Sequence, residues 1–154
     1  MKIKENLSMS GKLKTVIRDA ETGFVKRITY YNNVICTVGK SMIADNLTNA
    51  SPDNVMRINY VALGSDATAP VASDTTLGTE VYRNTVASET NSDNIAYISA
   101  FFGQTEVTGT FAEAGLFSDG AAGADSGILV SHVAISETKS AVETLTIDWQ
   151  ITIN

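Results

Sequence analysis

The C-terminal segment of the chain alternates between apolar and polar side chains over its whole length. In ETLTIDWQITIN, residues 143–154, alternate positions carry Leu145, Ile147, Trp149, Ile151 and Ile153. Successive side chains of a β-strand point to opposite faces of a sheet, so this pattern predicts a strand with one buried face. A half-buried strand needs neighbouring strands and a second layer against its apolar face, which makes a layered β-protein the expected fold.

The rest of the chain shows further strand patterns and one helical pattern. KLKTVIR and FVKRITYYN, separated by DAETG, predict a hairpin within residues 12–31, in which Gly23 takes a positive φ at the turn. GKSMIADNLTNA has apolar residues at helical spacing and predicts a short α-helix near residues 39–49, which SPDN ends. Beside a short apolar segment in NNVICTV, strands are expected at 55–64, 80–88, 94–103, 108–117, 127–135 and 143–154.

Short strands at regular spacing, joined by loops of small residues, are typical of an antiparallel β-sandwich or a jelly-roll-like domain. The expected fold is mainly β with one short helix, and the choice between a sandwich and a closed barrel stays open. Residues 1–31 form a basic N-terminal arm and β-hairpin in this interpretation, and residues 32–154 form the sandwich. In a chain of 154 residues the two parts are expected to be one continuous domain.

The charge is distributed unevenly along the chain. Residues 1–40 carry a balance of +5, whereas residues 41–154 carry a balance of −11. Three interpretations are open: solvated strand faces, attraction between the basic part of one copy and the acidic part of the next, and a nucleic-acid site. Nucleic acid is not expected as a partner, because the basic residues alternate with apolar ones along strands and form no cluster with stacking aromatic residues.

Cysteine usage and hydropathy exclude several classes of protein. Cys36 is the single cysteine, which excludes an internal disulfide and a cysteine-based zinc site, and the apolar run around it predicts a buried thiol. The N-terminal MKIKENLSMSGK lacks the apolar core of a secretory signal. No apolar run reaches the length of about 18 residues that a membrane-spanning helix needs. The chain is therefore expected to be made in a reducing cytoplasm and to use no membrane.

No catalytic motif is recognisable in the sequence. His132 is the single histidine, and because no nucleophile-elbow motif accompanies it, a partly buried strand histidine is expected rather than a catalytic base. Two carboxylate pairs, Glu106 with Glu113 and Asp66 with Asp74, have the chemistry of acid–base pairs. Residues 41–154 hold fourteen acidic residues, however, and such pairs then arise by chance.

Three short motifs resemble ligand-binding loops only in part. GKS at 39–41 lacks the upstream glycine of a phosphate-binding loop, because Val34 stands in its place, and Gly64-Ser65-Asp66 lacks the helix that would follow. SDGAAGADSG, residues 118–127, holds Asp119 and Asp125 but not the ligand pattern of an EF-hand, so a flexible surface loop is expected. No catalytic, cofactor-binding or metal-ligating residue is predicted, and the chain is not expected to be an enzyme.

The segment INYVALGSDATAPVASDTTLGTEVYRN, residues 58–84, is instead expected to be a core strand followed by a turn, a loop and a short capped turn. Gly64 permits the first turn, and Ser73 or Asp74 caps the second one. Glu80 is a possible ion-pair partner of Arg83, which lies three residues further along.

Several short motifs follow one another in a characteristic order along the chain. They are VALG at 61–64, Pro70, DTTL at 74–77, Glu80, Arg83, EAGLF at 113–117 and the strand from Leu145 to Ile153. In combination they resemble a widespread family of tailed-bacteriophage and prophage virion proteins of the tail-fibre, appendage or minor structural type. The resemblance covers about residues 32–154. Ala112 stands where the family commonly has arginine, so an ion pair made by that arginine is absent here.

The resemblance implies a non-enzymatic structural component of a bacteriophage virion, made in the host cytoplasm. The chain is compact, which favours an appendage or fibre-attachment unit, a collar or baseplate subunit, or a capsid-decoration subunit over a full fibre. It implies a symmetric homo-oligomer, with a trimer as the first expectation, in contact with other virion proteins. The alternative is a receptor- or carbohydrate-binding module of a tail fibre. Because most aromatic residues fall inside predicted strands, the scaffold is favoured over the lectin.

Overall fold

The structure, a computed structural model, describes residues 8–154. Its strands are β1 (Met9–Asp19), β2 (Val25–Asn32), β3 (Val34–Ile35), β4 (Ile58–Gly64), β5 (Glu80–Thr85), β6 (Ser88–Ser92), β7 (Ile95–Phe102), β8 (Gly109–Ser118), β9 (Ile128–Lys139) and β10 (Glu143–Ile153). Within these described residues there is one helix, α1 (Thr37–Thr48), which follows β3. The expectation of a mainly β fold with one short helix is confirmed. Residues 1–7 of the predicted basic arm lie outside the described residues.

Within residues 8–154 the strands form two antiparallel sheets of five strands each. Sheet A has the order β2-β1-β10-β7-β6, and sheet B has the order β3-β9-β8-β4-β5. The two sheets pack face to face as a sandwich rather than closing into one barrel. The N-terminal hairpin belongs to sheet A, because β1 lies between β2 and β10 and pairs with β10 from Met9 opposite Ile153 to Asp19 opposite Glu143.

The apolar faces of the two sheets meet in the core that the alternating pattern of β10 predicts. The side chains of Leu145, Ile147, Trp149 and Ile151 are all buried there, whereas Ile153 at the end of the strand is 41% exposed. Their partners in this cluster include Leu13 and Ile17 of sheet A and Val61, Leu63, Leu116 and Val133 of sheet B. Burial of each of these side chains contributes about 1.5–3 kcal/mol, so the core is the main source of stability.

The outer face of sheet B is covered by further parts of the chain. Helix α1 packs against β9 so closely that a Cβ at Gly39 would lie 2.8 Å from the Val130 Cα. A second apolar cluster lies between the sheet and these parts, and it consists of Cys36, Ala62, Leu77, Phe117 and Leu129. We call residues 37–54, 65–79 and 118–127 the cover of sheet B. No described segment lies across the outer face of sheet A in the same way.

The sequence pattern fails to predict two stretches of strand. Strand β6 is a run of exposed polar residues at the edge of sheet A, so it has no buried face and no alternation marks it. Strand β9 extends beyond its predicted end at residue 135 to Lys139. The sequence pattern misses this extension because Glu137 and Lys139 are charged and yet occupy buried positions. Helix α1 begins at Thr37, slightly before the predicted start at residue 39.

Candidate functional site

His132 lies under the cover of sheet B, between two carboxylates. Its Nδ1 is 2.8 Å from Asp74 Oδ2, and its Nε2 is 2.9 Å from Glu113 Oε2. The histidine comes from β9, Glu113 from β8, and Asp74 from the connection 65–79. His132 and Glu113 are buried, and together with Asp74 they border a hollow of about 380 Å³. The histidine lies in a strand as predicted, but it is buried rather than partly buried, and the sequence pattern does not reveal the carboxylates beside it.

Glu113 ties the connection 65–79 to sheet B. Besides contacting His132, its carboxylate accepts hydrogen bonds from the backbone N–H groups of Gly78 at 2.9 Å, Thr79 at 2.8 Å and Asp66 at 3.3 Å. These bonds give a buried carboxylate the hydrogen-bond partners that it would otherwise find in water. The same side chain leaves room only for a glycine at position 64, because a Cβ there would collide with the Glu113 carboxylate. Close approach therefore explains this glycine.

The arrangement leaves His132 without a nitrogen available to a substrate. An imidazole ring between two carboxylates donates from both nitrogens when it carries two protons, and from one when it is neutral. Within residues 8–154, no group of three or more histidine, cysteine, aspartate or glutamate side chains is arranged to hold a metal ion. The contacts of His132, Asp74 and Glu113 join β8 and β9 to the connection 65–79, and we call this cluster the latch.

The carboxylate pairs considered from the sequence have other partners. Glu106 accepts hydrogen bonds from Asn84 Nδ2 at 3.0 Å and from the backbone N–H of Gly103. Asp66 accepts hydrogen bonds from Thr68, and these bonds lower the pKa of its carboxyl group. Of the four carboxylates, the structure brings Asp74 and Glu113 to the same histidine, which is a combination that sequence spacing does not suggest.

The predicted ion pair between Glu80 and Arg83 is present and buried. Arg83 Nε and Nη2 donate to the two oxygens of Glu80 at 2.6 and 2.7 Å. The guanidinium carbon lies 4.6 Å from the centre of the Phe117 ring and 5.4 Å from that of Tyr60. Both charged side chains are almost inaccessible to solvent, at 4% and 2% exposure. This pair is a second anchor beneath the cover.

Arg83 and Glu80 also hold the loop 118–127. Arg83 Nη1 donates to the carbonyl oxygens of Ala121 at 3.0 Å and Ser126 at 2.9 Å, and Glu80 accepts from the backbone N–H of Asp125 at 3.0 Å. The sequence-based interpretation of a flexible loop does not anticipate these bonds, since they come from residues far away along the chain. Burial and the nearby Glu80 carboxylate raise the pKa of Asp125. The loop is thus anchored to sheet B.

The remaining sequence candidates have structural roles. Cys36 is buried as predicted, and desolvation raises the pKa of its thiol to about 11, which makes it a poor nucleophile. The GKS segment at 39–41 lies within α1, where Gly39 packs against β9. It has no phosphate-binding loop geometry.

A third buried carboxylate joins the two sheets. Glu137 of β9 accepts hydrogen bonds from Thr15 Oγ1 at 2.5 Å, Tyr31 Oη at 2.8 Å and Arg27 Nη2 at 2.6 Å, all of which belong to the β1–β2 hairpin. Burial by itself raises the pKa of Glu137, but the hydrogen bonds from Thr15, Arg27 and Tyr31 outweigh it and leave the pKa below its ordinary value.

The lowered pKa of Glu137 predicts a specific acid dependence of stability. A group whose pKa falls on folding stabilises the protein above its unfolded pKa, and this contribution is lost as the pH falls through the folded pKa. Replacing Glu137 by glutamine is expected to cost about 1.5–3 kcal/mol at neutral pH, because bonds to a charged group are lost. The difference from the unmutated chain should shrink as the pH falls below 4.5, the ordinary value for this group, in urea unfolding. A difference that grew in acid would contradict this assignment.

The outer face of sheet A is the broad exposed surface of the sandwich. Alternation along β1 places Leu13, Thr15 and Ile17 inward and directs Lys12, Lys14 and Arg18 outward. Register then aligns outward residues in rows: Tyr30, Lys14, Asp148, Ser99 and Ser88 form one row, and Asn32, Lys12, Gln150, Tyr97 and Thr90 form the next. Large apolar side chains are exposed on this face, namely Ile28, Tyr30, Tyr97 and Phe101.

A groove of about 420 Å³ crosses this face between Tyr30 and Tyr97. Tyr30 is 71% exposed and Tyr97 is 42% exposed. Between them, Asp148 forms an ion pair with Lys14, whose Nζ lies 2.8 Å from Oδ2, and it accepts a hydrogen bond from Ser99 Oγ at 2.9 Å. The two tyrosines stand on strands separated by three strand spacings, which amounts to about 14 Å. The groove thus has aromatic sides and a polar floor.

Two sequence-based arguments about this face need correction. Alternation along β1 does not disperse the basic residues, because it directs Lys12, Lys14 and Arg18 to one face, where Tyr30 stands directly opposite Lys14. Location inside a strand likewise does not bury Tyr30 or Tyr97. The signal that would have revealed both is strand parity: basic and aromatic residues occupy the positions alternate to the apolar core residues.

The geometry defines a β-sandwich with one covered face and one open face, and with its buried charges used to hold the cover and join the sheets. No protein-family model matches the chain, and no curated protein or solved structure is significantly similar to it. Within residues 8–154, no helix is long and apolar enough to cross a membrane.

Proposed function

We propose that the chain is a non-enzymatic structural subunit of a bacteriophage particle, of the appendage, collar or capsid-decoration type, which assembles with copies of itself and with neighbouring virion proteins. The observation that carries the proposal is the outer face of sheet A. It presents Ile28, Tyr30, Tyr97 and Phe101 to solvent on a rigid sheet, among outward lysines. Exposed apolar residues gathered on one face mark an interaction surface. The motifs from VALG at 61–64 to the last strand support the virion assignment by resemblance alone.

The buried polar groups are consistent with a structural role. His132 and Glu113 hold the connection 65–79, and Arg83 holds the loop 118–127. Each of these charged groups is engaged by protein partners, so none is left to activate a nucleophile or stabilise a reacting group. A fold that uses its buried charges in this way presents a stiff surface, which suits a subunit that is built into a larger assembly.

The proposal is tested in particles rather than in the isolated protein. Antibodies raised against the purified chain should label tailed particles released by the host bacterium, as seen by immunogold electron microscopy. Particles from a strain with the gene deleted provide the control. Purified particles that lack the chain, together with its recovery in the unassembled fraction, would overturn the proposal.

A second candidate function is carbohydrate binding, as expected of a receptor-binding module, and the groove between Tyr30 and Tyr97 favours it. Sugar rings stack on exposed aromatic faces, and their hydroxyl groups bond to carboxylate, amide and ammonium groups such as those of Asp148, Gln150 and Lys14. Glycan-array binding should then be lost in Tyr30→Ala and kept in Tyr30→Phe, which retains the ring. Absence of binding to bacterial surface glycans would remove this candidate.

A further inference from the structure

The cover of sheet B is acidic. It holds six aspartates and a single lysine, which are Asp45, Asp53, Asp66, Asp74, Asp119, Asp125 and Lys40. Within residues 8–154, the only one of these residues that forms an ion pair is Asp74, with His132. Asp45 and Asp53 border the same shallow hollow beside α1. Within residues 8–154, the cover therefore presents several negative charges without an ion-pair partner on one side of the sandwich.

The outer face of sheet A, on the opposite side of the sandwich, carries the basic residues of the hairpin. Lys14 pairs with Asp148, and Lys26 lies 3.1 Å from Glu143 Oε1. Lys12 and Arg18 form no ion pair in the part of the chain that the structure describes, although Arg18 donates to Thr146 Oγ1 at 3.3 Å. Both faces also carry exposed apolar side chains. Ile28, Tyr30, Tyr97 and Phe101 lie on sheet A, and Leu47, Val55 and Met56 lie on or beside the cover.

We infer that copies of the chain bind head to tail, with the outer face of sheet A of one copy resting on the acidic cover of sheet B of the next. The inference rests on the proposed function, since it names the partner of the surface described there. Complementary charge steers the encounter and fixes its orientation, while the apolar side chains supply buried area. The contact is heterologous, so it closes into a ring where the rotation between copies allows it and otherwise continues as a row.

The charges favour a second copy of the chain over the other candidate partners of this face. A nucleic acid would have to be held by Lys12 and Arg18 against a chain whose net charge is −6. A neutral glycan would make no use of the charge difference between the two faces. Two sheet-A faces meeting each other would bring like charges together. Only the acidic cover of another copy complements the sheet-A face in both charge and apolar content.

The test uses two charge-reversed variants of the full chain and sedimentation velocity. Lys12→Glu with Arg18→Glu reverses the sheet-A face, and Asp45→Lys with Asp53→Lys reverses the cover. Each variant alone should associate at least about tenfold more weakly than the unmutated chain, which corresponds to about 1.4 kcal/mol. An equimolar mixture of the two should recover association, because each reversed face then meets one of opposite sign. Far-UV circular dichroism and urea midpoints check that both variants fold.

The other outcomes would overturn the head-to-tail contact in distinguishable ways. If the cover variant associates like the unmutated chain while the sheet-A variant does not, two sheet-A faces meet instead. If the unmutated chain stays monomeric but binds a single-stranded oligonucleotide or a glycan, that ligand occupies the face. These results leave the immunogold test untouched, so failure of the contact and failure of the virion assignment can be told apart.

Discussion

Replacing Glu113 by alanine is expected to lower the free energy of unfolding by about 3–5 kcal/mol. The carboxylate is 1% exposed and takes hydrogen bonds from three backbone N–H groups in addition to its contact with His132. Its removal leaves those donors buried without an acceptor, and it leaves His132 with Asp74 alone. The connection 65–79 should then separate from sheet B. Urea unfolding followed by tryptophan fluorescence of Trp149 measures the change in stability.

Glu106→Ala is the matched control for this prediction. Glu106 is also a glutamate that accepts hydrogen bonds close to a strand, but it is exposed. Its loss is expected to cost less than about 1 kcal/mol. A conservative Glu113→Gln variant should fall between the two, because it keeps the shape of the side chain and loses the charge. Equal effects of Glu113→Ala and Glu106→Ala would show that the latch does not hold the cover.

Replacing Arg83 by methionine is expected to destabilise the protein by a similar amount, about 3–5 kcal/mol. Methionine fills much of the space between Tyr60 and Phe117, so the loss is chiefly electrostatic. Glu80 would remain buried without its cation, and the carbonyl groups of Ala121 and Ser126 would lose their donor. The loop 118–127 should also become sensitive to limited proteolysis under conditions in which the rest of the chain stays folded.

The chain contains its own control for this second prediction. Arg57 pairs with Glu89, so the chemistry is the same, but the arginine side chain is 72% exposed. Arg57→Met is therefore expected to change stability by less than about 1 kcal/mol. If the Arg57 and Arg83 variants were equally stable, or if the loop resisted protease in Arg83→Met, the buried pair would not be the anchor of the loop.

The parts of the fold that follow from the sequence are those where burial and periodicity agree. The alternation of β10 predicts its buried face correctly from Leu145 to Ile151. The hairpin turn at Gly23, whose φ is 72°, follows from the chemistry of DAETG. In these segments each local preference points to the same structure as the tertiary packing does.

The parts that do not follow depend on contacts between residues far apart in the chain. Glu137 occupies a core-facing position that a hydrophobic pattern assigns to an apolar residue, and the donors that make this possible come from the first hairpin. The latch is likewise invisible to spacing, because Asp74 and His132 are 58 residues apart in sequence. The Glu80–Arg83 pair was predictable only from closeness in sequence, because residues three apart in a regular strand point to opposite faces. The two side chains meet because β5 has one extra residue between Glu80 and Tyr82, where its register with β4 shifts. The burial of the pair depends on Phe117, which belongs to another strand.

A strand pattern does not show which residues of different strands lie together on the open face of sheet A. Residues such as Tyr30 and Lys14 are assigned to strands correctly, yet their importance depends on which side of the sheet they occupy. Once register is known, basic and aromatic side chains from three strands, β1, β2 and β7, fall on one surface. The opposite charge of the cover is also visible only after the connections 65–79 and 118–127 are placed on sheet B.

We propose above all that the chain acts by assembling through oppositely charged faces rather than by catalysis. The most direct test is the molar mass of the unmutated chain, measured by light scattering coupled to size exclusion at about 50 mM and about 500 mM NaCl. Between these two salt concentrations the range of electrostatic interactions shortens severalfold. We expect a mass above the 16.4 kDa of one copy at low salt, rising with protein concentration and falling towards 16.4 kDa at high salt. A mass of 16.4 kDa at every concentration and salt would contradict the account.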